Sequence, residues 1–572
     1  MFRVLTRVVL VIAVGACAGG GGGGGVATAP APLGTYPPRD LAKRRPLTRA
    51  EASSFTETST YADVMGFIEA LRAQSPDIYV TSLGKSPQGK DLPLVILSRP
   101  MVKTPADARR LGRPVVYIQG NIHGGEVEGK EALLALLRDL ELDQYKNVVD
   151  SLVILAVPIY NADGNDAMGP QERNRGAQNG PALVGQRANG QNFDLNRDYI
   201  KAEAPETRAA LQLFKDWEPD VVIDLHTTNG SYHGYALTWS PPLNPAARFS
   251  GPFTRDTVLP VLADALRRNR RIETFPYGNF ESLDALNRRD TLNRGWVTYD
   301  HRPRFGTNYY GLRGRMAILS EAYSHDPFKQ RVASTYAFVN DLLSLLAENG
   351  EDVMDVGREA DRHTTAFGTT PSTSPRIAIR SRLTTNPGVA EVLVEDLVRT
   401  GDTVRTEAGL RPGFRRDGKV RGVKMPIVDR FEASLDQSLP YAWIIPAGQA
   451  ALLEPLQRHG VFVEQLAERT TFRAERFTID SIARGQAFQG HQETRLSGRW
   501  APVDSVTLEA DTYVVRGGQP LGILALYLLE PQSDDGLATW NFLDAWLQPG
   551  GTYPVLRVTE RFAAPLRPVR GD

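Results

Sequence analysis

Residues 57–350 alternate short apolar runs with helical stretches, and this alternation constrains the fold more than any other feature of the chain. Strands are predicted at 78–83, 92–97, 114–119, 151–158, 221–225 and 315–319, and helices at 61–72, 127–140, 206–217, 258–269 and 331–347. Nearly continuous apolar strands separated by helices are typical of a sheet that helices cover on both faces. We therefore predict an α/β domain with a mixed, mostly parallel sheet flanked by helices.

The chain changes character after Gly350, which we expect to end the last helix of this domain. A polar stretch rich in Thr, Ser and Pro predicts a linker over 351–374. Strands are expected at 473–479, 505–515 and 522–529, with an αβ-like insertion at 441–463. We therefore predict a mostly β accessory domain over 375–572, compatible with binding a polysaccharide or a partner, or with covering a cleft.

The N-terminus carries an export pattern. Arg3 and Arg7 flank the start of an apolar run at 8–14 that is too short to span a bilayer, and the segment ending at Cys17 resembles a bacterial lipoprotein box. We predict a signal peptide at 1–17, lipidation of Cys17, and a tether rich in Gly, Pro and Ala over 18–56. The alternative is ordinary secretion, because Ala-Cys-Ala at 16–18 also fits a cleavage site. The expected location is the periplasm or cell envelope, at a membrane that holds the lipid.

Residue counts exclude several classes of site. Cys17 is the only cysteine, so the mature protein has no intrachain disulfide, no catalytic cysteine and no thiolate metal site. Lys and Arg total 66, and Asp and Glu also total 66. A nucleic-acid partner is therefore not expected, since such proteins carry a basic excess. The oligomeric state is left open.

Chemically useful side chains cluster where the predicted strands end. His123 and Glu126 follow the strand 114–119 at the start of a helix, and this pair supplies ligands that suit Zn²⁺. His226 follows another strand, and Glu321 closes the last one. In open α/β sheets, ligands bind at the carboxyl ends of the strands. A single His-x-x-Glu pair is common, but these residues together predict a metal site at one edge of the sheet.

The order of the motifs carries a resemblance to a known family. H-x-x-E is followed by N-x-D-G at 161–164, D-L-N-R at 194–197, D-L-H-T at 224–227 and a late glutamate. This series resembles the M14 zinc carboxypeptidases over about residues 57–349, whereas the other zinc-protease signature, H-E-x-x-H, is absent. The resemblance implies one Zn²⁺ held by His123, Glu126 and His226, with Glu321 as the general base.

The same resemblance implies roles for the residues around the metal. Arg175 matches the arginine that stabilises the oxyanion, with Arg173 as the alternative because this run is compressed relative to the family spacing. Asn196 and Arg197 match the pair that binds the terminal carboxylate of the substrate. Asp194 is expected either to orient His123 or to serve as a turn or cap residue.

An aromatic side chain is also expected beside the substrate. Tyr299 is favoured by its spacing from the general base, with Tyr309 and Tyr310 as alternatives. His233 and His301 are expected to be structural or solvated rather than to line the cleft. The specificity pocket is expected in the loop 302–312.

These features predict a zinc metallocarboxypeptidase that hydrolyses C-terminal amino acids from peptides at the cell envelope. Its substrate would be a peptide with a free C-terminal carboxylate. Two alternatives remain open at this stage. One is an M14-like amidase or deacylase acting on cell-wall peptides or acylated amino acids, and the other is a non-catalytic peptide-binding lipoprotein with a vestigial metal site.

Overall fold

A computed structural model describes residues 45–141, 146–282, 294–406 and 409–569. Its centre is an eight-stranded sheet. In spatial order the strands are Ile78–Lys85, Asp91–Leu97, Val153–Val157, Val115–Gly120, Val221–Thr227, Met316–Ala322, Leu237–Ser240 and Thr274–Pro276. Four of the neighbouring pairs are parallel and three are antiparallel. The predicted mixed, mostly parallel sheet is confirmed.

Helices cover both faces of this sheet. The main ones are Tyr61–Arg72, Pro105–Leu111, Glu128–Glu141, Lys146–Ser151, Pro205–Trp217, Leu259–Ala265, Gly306–Leu312 and Phe328–Glu348. The strand Val115–Gly120 shows why two layers are needed. Val116 and Ile118 pack into one buried cluster, whereas Tyr117 between them packs into the cluster on the other face. Successive side chains of a strand point to opposite faces, so a wholly apolar strand must be buried twice.

The sheet brings the site residues to one edge. Val115–Gly120, Val221–Thr227 and Met316–Ala322 are adjacent and parallel. Their register places Glu321 directly beside His226. Because parallel strands end at the same edge, the loop that follows Val115–Gly120 opens there as well.

The N-terminal domain begins earlier than predicted. Residues 45–56, expected as the end of the tether, contain a short helix, Arg49–Ala52, whose capping box joins Thr48 and Glu51. Glu51 also accepts a 2.6 Å hydrogen bond from Arg138 of the helix Glu128–Glu141. The segment packs on the domain because its charges meet buried partners there. The predicted signal peptide 1–17, Cys17 and the tether 18–44 lie outside the described residues.

The predicted linker over 351–374 is wrong for most of its length. Gly350–Thr369 is a 20-residue helix that follows Phe328–Glu348 after a break at Asn349. Its buried side is formed by small residues at helical spacing: Val353, Gly357, Ala360, Thr364 and Gly368. Such a stripe looks polar in the sequence because it contains almost no large apolar side chain.

The C-terminal region, residues 375–569, is mostly β as predicted. Its antiparallel sheet has seven strands. In spatial order they are His491–Leu508, Thr470–Phe488, Leu556–Val558, Ala442–Ile445, Tyr513–Arg516, Glu464–Leu466 and Leu566–Pro568. Two further pairs are Ile377–Thr384 with Arg430–Gln437 and Ala390–Thr406 with Gly409–Met425. The αβ-like insertion at 441–463 is present as the strand Ala442–Ile445 and the helix Leu453–Arg458.

One expected strand of this region is a helix. Gly522–Leu529, predicted as a strand at 522–529, is helical and buried along its whole length. A short continuous apolar run cannot be assigned to strand or helix by periodicity alone.

The C-terminal region shares its core with the α/β domain. Phe214 and Tyr309 of the first domain belong to the same buried cluster as Trp443 and Tyr527. In addition, the strand Arg294–Val297 pairs in parallel with Ile427–Val428. The two regions therefore form one packed body. No helix among the described residues has both the length and the apolar content needed to cross a membrane.

Candidate active site

The three predicted metal ligands lie together. His123 and Glu126 sit in the loop between Val115–Gly120 and Glu128–Glu141, and His226 sits in Val221–Thr227. Their ligand atoms lie within 4.8 Å of one another, and all three side chains are buried. Residues from two separate parts of the chain thus meet at the edge of the sheet.

The loop that carries His123 and Glu126 is held by its own backbone. Asn121 adopts a left-handed conformation with a φ of 64°, which turns the chain sharply after the strand. Its side-chain amide donates to the carbonyls of His123, Gly124 and Glu126 at 3.1–3.3 Å. A side chain at Gly124 would overlap the backbone of residues 164–165, so only glycine fits there.

The N-x-D-G motif supports this loop from a neighbouring turn. The Asn161 amide donates to the carbonyls of Ile122, at 3.2 Å, and Arg187, at 3.1 Å. Asp163 accepts hydrogen bonds from Ser86 at 2.8 Å and from the backbone of Gln88 at 3.0 Å. The motif therefore builds the wall of the site rather than its chemistry.

The side chains at the centre offer a donor set that suits a zinc ion. Glu126 lies 2.9 Å from Nδ1 of His123 and 3.0 Å from Nδ1 of His226. Burial would raise the pKa of Glu126, but the charges of His123 and Arg175 hold that pKa well below its ordinary value. The carboxylate therefore stays ionised. Two imidazoles and one ionised carboxylate are the donor set that Zn²⁺ prefers, so the residues fit a zinc ion.

The second nitrogen of each histidine faces another carboxylate. Nε2 of His123 lies 3.2 Å from Asp194, and Nε2 of His226 lies 2.9 Å from Asp224. The contact of His123 with Asp194 is a hydrogen bond, and such an outer carboxylate fixes the ring orientation of a ligand and raises its basicity. The two carboxylates leave Nδ1 of both rings directed at the shared centre, beside Glu126.

Glu321 has the properties of a base beside this centre. Its side chain is buried, and its Oε2 has no hydrogen-bond partner within the described part of the chain. Burial raises the pKa of Glu321 to about 8, opposed by the positive charge of His226. A carboxyl group whose pKa lies near neutrality can both take up and release a proton there.

The two arginines considered for the oxyanion, Arg175 and Arg173, do not face the open side of the centre. Arg175 is buried and donates to the carbonyls of Thr227 and Thr228 at 3.1 and 3.2 Å, while it also lies 3.1 Å from Glu126. It therefore lies behind a candidate ligand. Arg173 is exposed and donates to the side chain of the adjacent Asn174.

Arg187 was missed by the sequence analysis. Its side chain is 33% exposed, and its Nη1 lies 3.4 Å from Nδ1 of His123 and 3.7 Å from Glu126. It also forms an ion pair with Asp194 at 2.9 Å. Arg187 thus presents a guanidinium group on the open side of the centre. The available signal was its place just ahead of the D-L-N-R run.

Asn196 and Arg197 lie next to the centre. They belong to the one-turn helix Leu195–Arg197, whose first turn is capped by Asp194 through a 3.0 Å bond to the backbone of Asn196. Asp194 therefore both caps this turn and contacts His123. The Arg197 guanidinium stacks 3.8 Å from the ring centre of Phe305.

Only one of the three candidate tyrosines adjoins the site. Tyr309 and Tyr310 are fully buried in the core, where Tyr309 bonds to His459 and Tyr310 stacks on Phe214. Tyr299 is partly exposed, and its ring centre lies 5.3 Å from that of Phe305. Burial, together with the nearby charge of Glu321, raises the pKa of Tyr299, so its hydroxyl stays protonated.

His233 and His301, two of the remaining histidines, are structural, as expected. His233 is buried against Tyr323 and Trp296, and burial lowers its pKa to about 3, so it is neutral. His301 is buried with its Nε2 2.9 Å from Asp534 of the C-terminal region.

Comparison with known proteins finds similarity to carboxypeptidases. Residues 64–247 match the family model of the zinc carboxypeptidases, Peptidase_M14. Carboxypeptidase 2 of Trichophyton tonsurans is 23% identical over 524 residues, which span 86% of this chain and 85% of that protein. Carboxypeptidase M of Mus musculus is 28% identical over 195 residues, 32% of this chain and 39% of that protein. The solved structure of a metallo-carboxypeptidase from Burkholderia cenocepacia matches with 16% identity and a TM-score of 0.37. The match covers 51% of this chain and 70% of the Burkholderia chain.

Proposed function

We propose that this chain, of which residues 64–247 match the family model of the zinc carboxypeptidases, removes single amino acids from the carboxyl end of peptides. One observation carries the proposal. Asp194 contacts His123 on one side and caps the turn of Asn196 and Arg197 on the other. Asn196 and Arg197, here called the grip residues, would thus bind a substrate carboxylate beside the candidate metal ligands, as an exopeptidase requires.

His123, Glu126 and His226 would hold one zinc ion, which when bound polarises the scissile carbonyl and lowers the pKa of water to about 7. Arg197 and Asn196 would bind the terminal carboxylate, because a planar guanidinium group matches both of its oxygens. The contact of the partly exposed Arg197 with the ring of Phe305 restricts the direction of that guanidinium group.

Glu321 would take the proton of the attacking water and return it to the leaving amine. Its buried position and its raised pKa of about 8 support both halves of this transfer. Arg187 would stabilise the negative charge that develops on the carbonyl oxygen, since it lies on the open side of the centre. Tyr299, next to Phe305, would contact the bound substrate.

Mass spectrometry of a mixed peptide pool tests this function. The protein should remove one residue at a time from the carboxyl end, and a zinc chelator should abolish the loss. Peptides with an amidated C-terminus should resist cleavage. Equal cleavage of free and amidated peptides would contradict the exopeptidase assignment.

The same assay separates the alternatives. Release of an acyl group from an acylated amino acid, with intact peptides left uncut, would favour the deacylase function. Binding of peptides with no turnover under zinc-saturated conditions would favour the non-catalytic function.

We also propose export and attachment to a membrane through Cys17, supported by the N-terminal pattern alone. Expression in a bacterium with labelled palmitate should label the parent protein. Cys17→Ala should lose the label and leave the membrane fraction. A labelled Cys17→Ala variant, or an unlabelled parent, would contradict the lipid anchor.

A further inference from the structure

The loop 300–306, here called the clamp loop, joins the C-terminal region to the substrate side of the site. It follows Tyr299 and enters the helix Gly306–Leu312. Side chains from its middle contact the C-terminal region, and its end contacts Asn196 and Arg197. The loop overlaps the segment 302–312, where the specificity pocket is expected.

Arg304 is the main anchor of the clamp loop. Its Nη1 donates to Glu493 at 2.6 Å, and its Nε and backbone nitrogen donate to the two oxygens of Asp535 at 3.0 and 2.7 Å. The guanidinium also lies 4.4 Å from the ring centre of Trp540. Arg304 and Asp535 are both buried. Charged hydrogen bonds in such a setting are short, strong and directional.

Two further contacts hold the same loop. His301 lies 2.9 Å from Asp534, which also accepts a hydrogen bond from Tyr527 at 2.6 Å. Arg302 lies 3.4 Å from Glu493. Three basic residues of the clamp loop therefore face three acidic residues of the C-terminal region.

The other end of the clamp loop contacts the grip residues, Asn196 and Arg197. Phe305 carries the Arg197 guanidinium on its ring at 3.8 Å. The backbone nitrogen of Gly306 donates to Oδ1 of Asn196 at 2.9 Å. Both grip residues are thus placed by the residues that directly follow Arg304.

We propose that Arg304, Glu493 and Asp535 are positioning residues that hold Arg197 and Asn196 for the substrate carboxylate. The inference rests on the proposed function, because it assigns the carboxylate to that pair. The C-terminal region is then a part of the active site. A guanidinium group that is already oriented binds a carboxylate without losing side-chain freedom, so release of the clamp loop weakens binding more than it slows chemistry.

Binding and turnover of matched peptides test this inference. Binding is measured by calorimetry in zinc-loaded Glu321→Gln protein with one peptide as the free acid and as the amide. The Glu321→Gln protein should bind the acid more tightly than the amide. Adding Arg304→Lys or Glu493→Gln should reduce this preference about tenfold, which is roughly the contribution of one charged hydrogen bond. In the active protein, the same changes should raise KM for the acid peptide and leave kcat within about threefold.

The ion pair of Glu475 and Arg557 supplies the control. It joins two strands of the C-terminal sheet at 2.6 Å. Glu475→Gln should keep the acid preference and KM of the parent. Variants at 304 and 493 that fold, hold zinc and keep that preference would overturn the inference, as would a parent that binds acid and amide equally. A different outcome would separate the two ideas. If the changes at 304 and 493 abolish the acid preference in the Glu321→Gln background, but the protein with Glu321 intact cleaves no peptide, the inference is supported and the proposed function is contradicted.

Discussion

Glu321 is the residue on which turnover depends most directly. Glu321→Gln keeps the shape of the side chain but removes its capacity to accept a proton. We expect zinc content to remain that of the parent and kcat to fall by about 10²–10⁴-fold, the usual contribution of a general base. Steady-state kinetics and metal analysis of the same preparation measure both. Activity close to that of the parent would show that another group accepts the proton.

The two arginines beside Glu126 should differ in their effects. Arg187 is one-third exposed, so Arg187→Ala should retain zinc and lower kcat by about 10²–10³-fold if it stabilises the oxyanion. Arg175 is buried against Glu126, and Arg175→Ala should instead lower zinc affinity and stability, because it removes the partner of a buried charge. Zinc content and kcat of both variants distinguish these outcomes. The reverse pattern would return the oxyanion role to Arg175.

Sequence motifs located most of these side chains because their chemistry is local. His123 and Glu126 share one turn, and Asn196 and Arg197 are neighbours. For Arg187 the sequence offered only its place ahead of the D-L-N-R run, because its position at the centre depends on a contact with His123 across 64 residues. The burial of Arg175 likewise depends on the strand Val221–Thr227, which a local sequence pattern does not report.

At the scale of elements, the helix Gly350–Thr369 depends on small residues where it meets the C-terminal region. A side chain at Gly368 would overlap the backbone of Gly517 and Gly518. Gly368→Ala should therefore destabilise the protein by about 1–3 kcal/mol, as overpacking does, despite the better helix propensity of alanine. Gly66→Ala in the helix Tyr61–Arg72 meets no atom within 4 Å and should instead stabilise by about 0.5–1 kcal/mol. Urea unfolding measures both; equal effects would contradict the close contact.

A second element contact should depend on pH. The tip of the hairpin formed by Thr470–Phe488 and His491–Leu508 meets the α/β domain through His491, 3.0 Å from Glu203. The hydrogen bond to Glu203 raises the pKa of His491. Burial acts to raise the pKa of Glu203, but the hydrogen bond to His491 and the nearby positive charges together outweigh burial, and the pKa of Glu203 is lowered. The histidine contribution is present below pH 6.5 and is lost as pH rises through its folded pKa, whereas the glutamate contribution is lost on acidification below about pH 4.5.

Glu203→Gln should therefore cost more at pH 6 than at pH 8.5. Because the pair is partly exposed, the difference should be below about 1 kcal/mol. Unfolding of parent and variant at the two pH values measures it. An equal cost at both values would show that the charge on His491 does not stabilise the contact.

Elements were predictable where periodicity and length agree. The helix Tyr61–Arg72 begins and ends where its apolar spacing indicates. Gly350–Thr369 was missed because small side chains form its buried stripe, and Gly522–Leu529 was assigned to the wrong class because apolar residues surround it on all sides. In both cases the neighbours in space, rather than the local pattern, determine the structure.

At the scale of the whole molecule, the shared core should make the two regions unfold together. Phe214 packs in the same cluster as Trp443 and Tyr527, and the clamp loop ties the regions a second time. A division into a catalytic and an accessory domain predicts two transitions instead. Calorimetry of the zinc-loaded protein should therefore show one transition, observed alike in the near-ultraviolet signals of both regions.

Zinc removal tests that coupling. A ligand that binds only the folded state stabilises it by about 2.7 kcal/mol at a concentration 100 times its Kd, so chelation should lower the single transition temperature as a whole. His226→Ala should remove the zinc-dependent shift while retaining one transition, because the ligand lies at the edge of the sheet rather than in the shared core. If chelation moved only one of two resolved transitions, the C-terminal region would fold independently. The contacts between the C-terminal region and the clamp loop would then form only after each domain had folded, when the two domains dock.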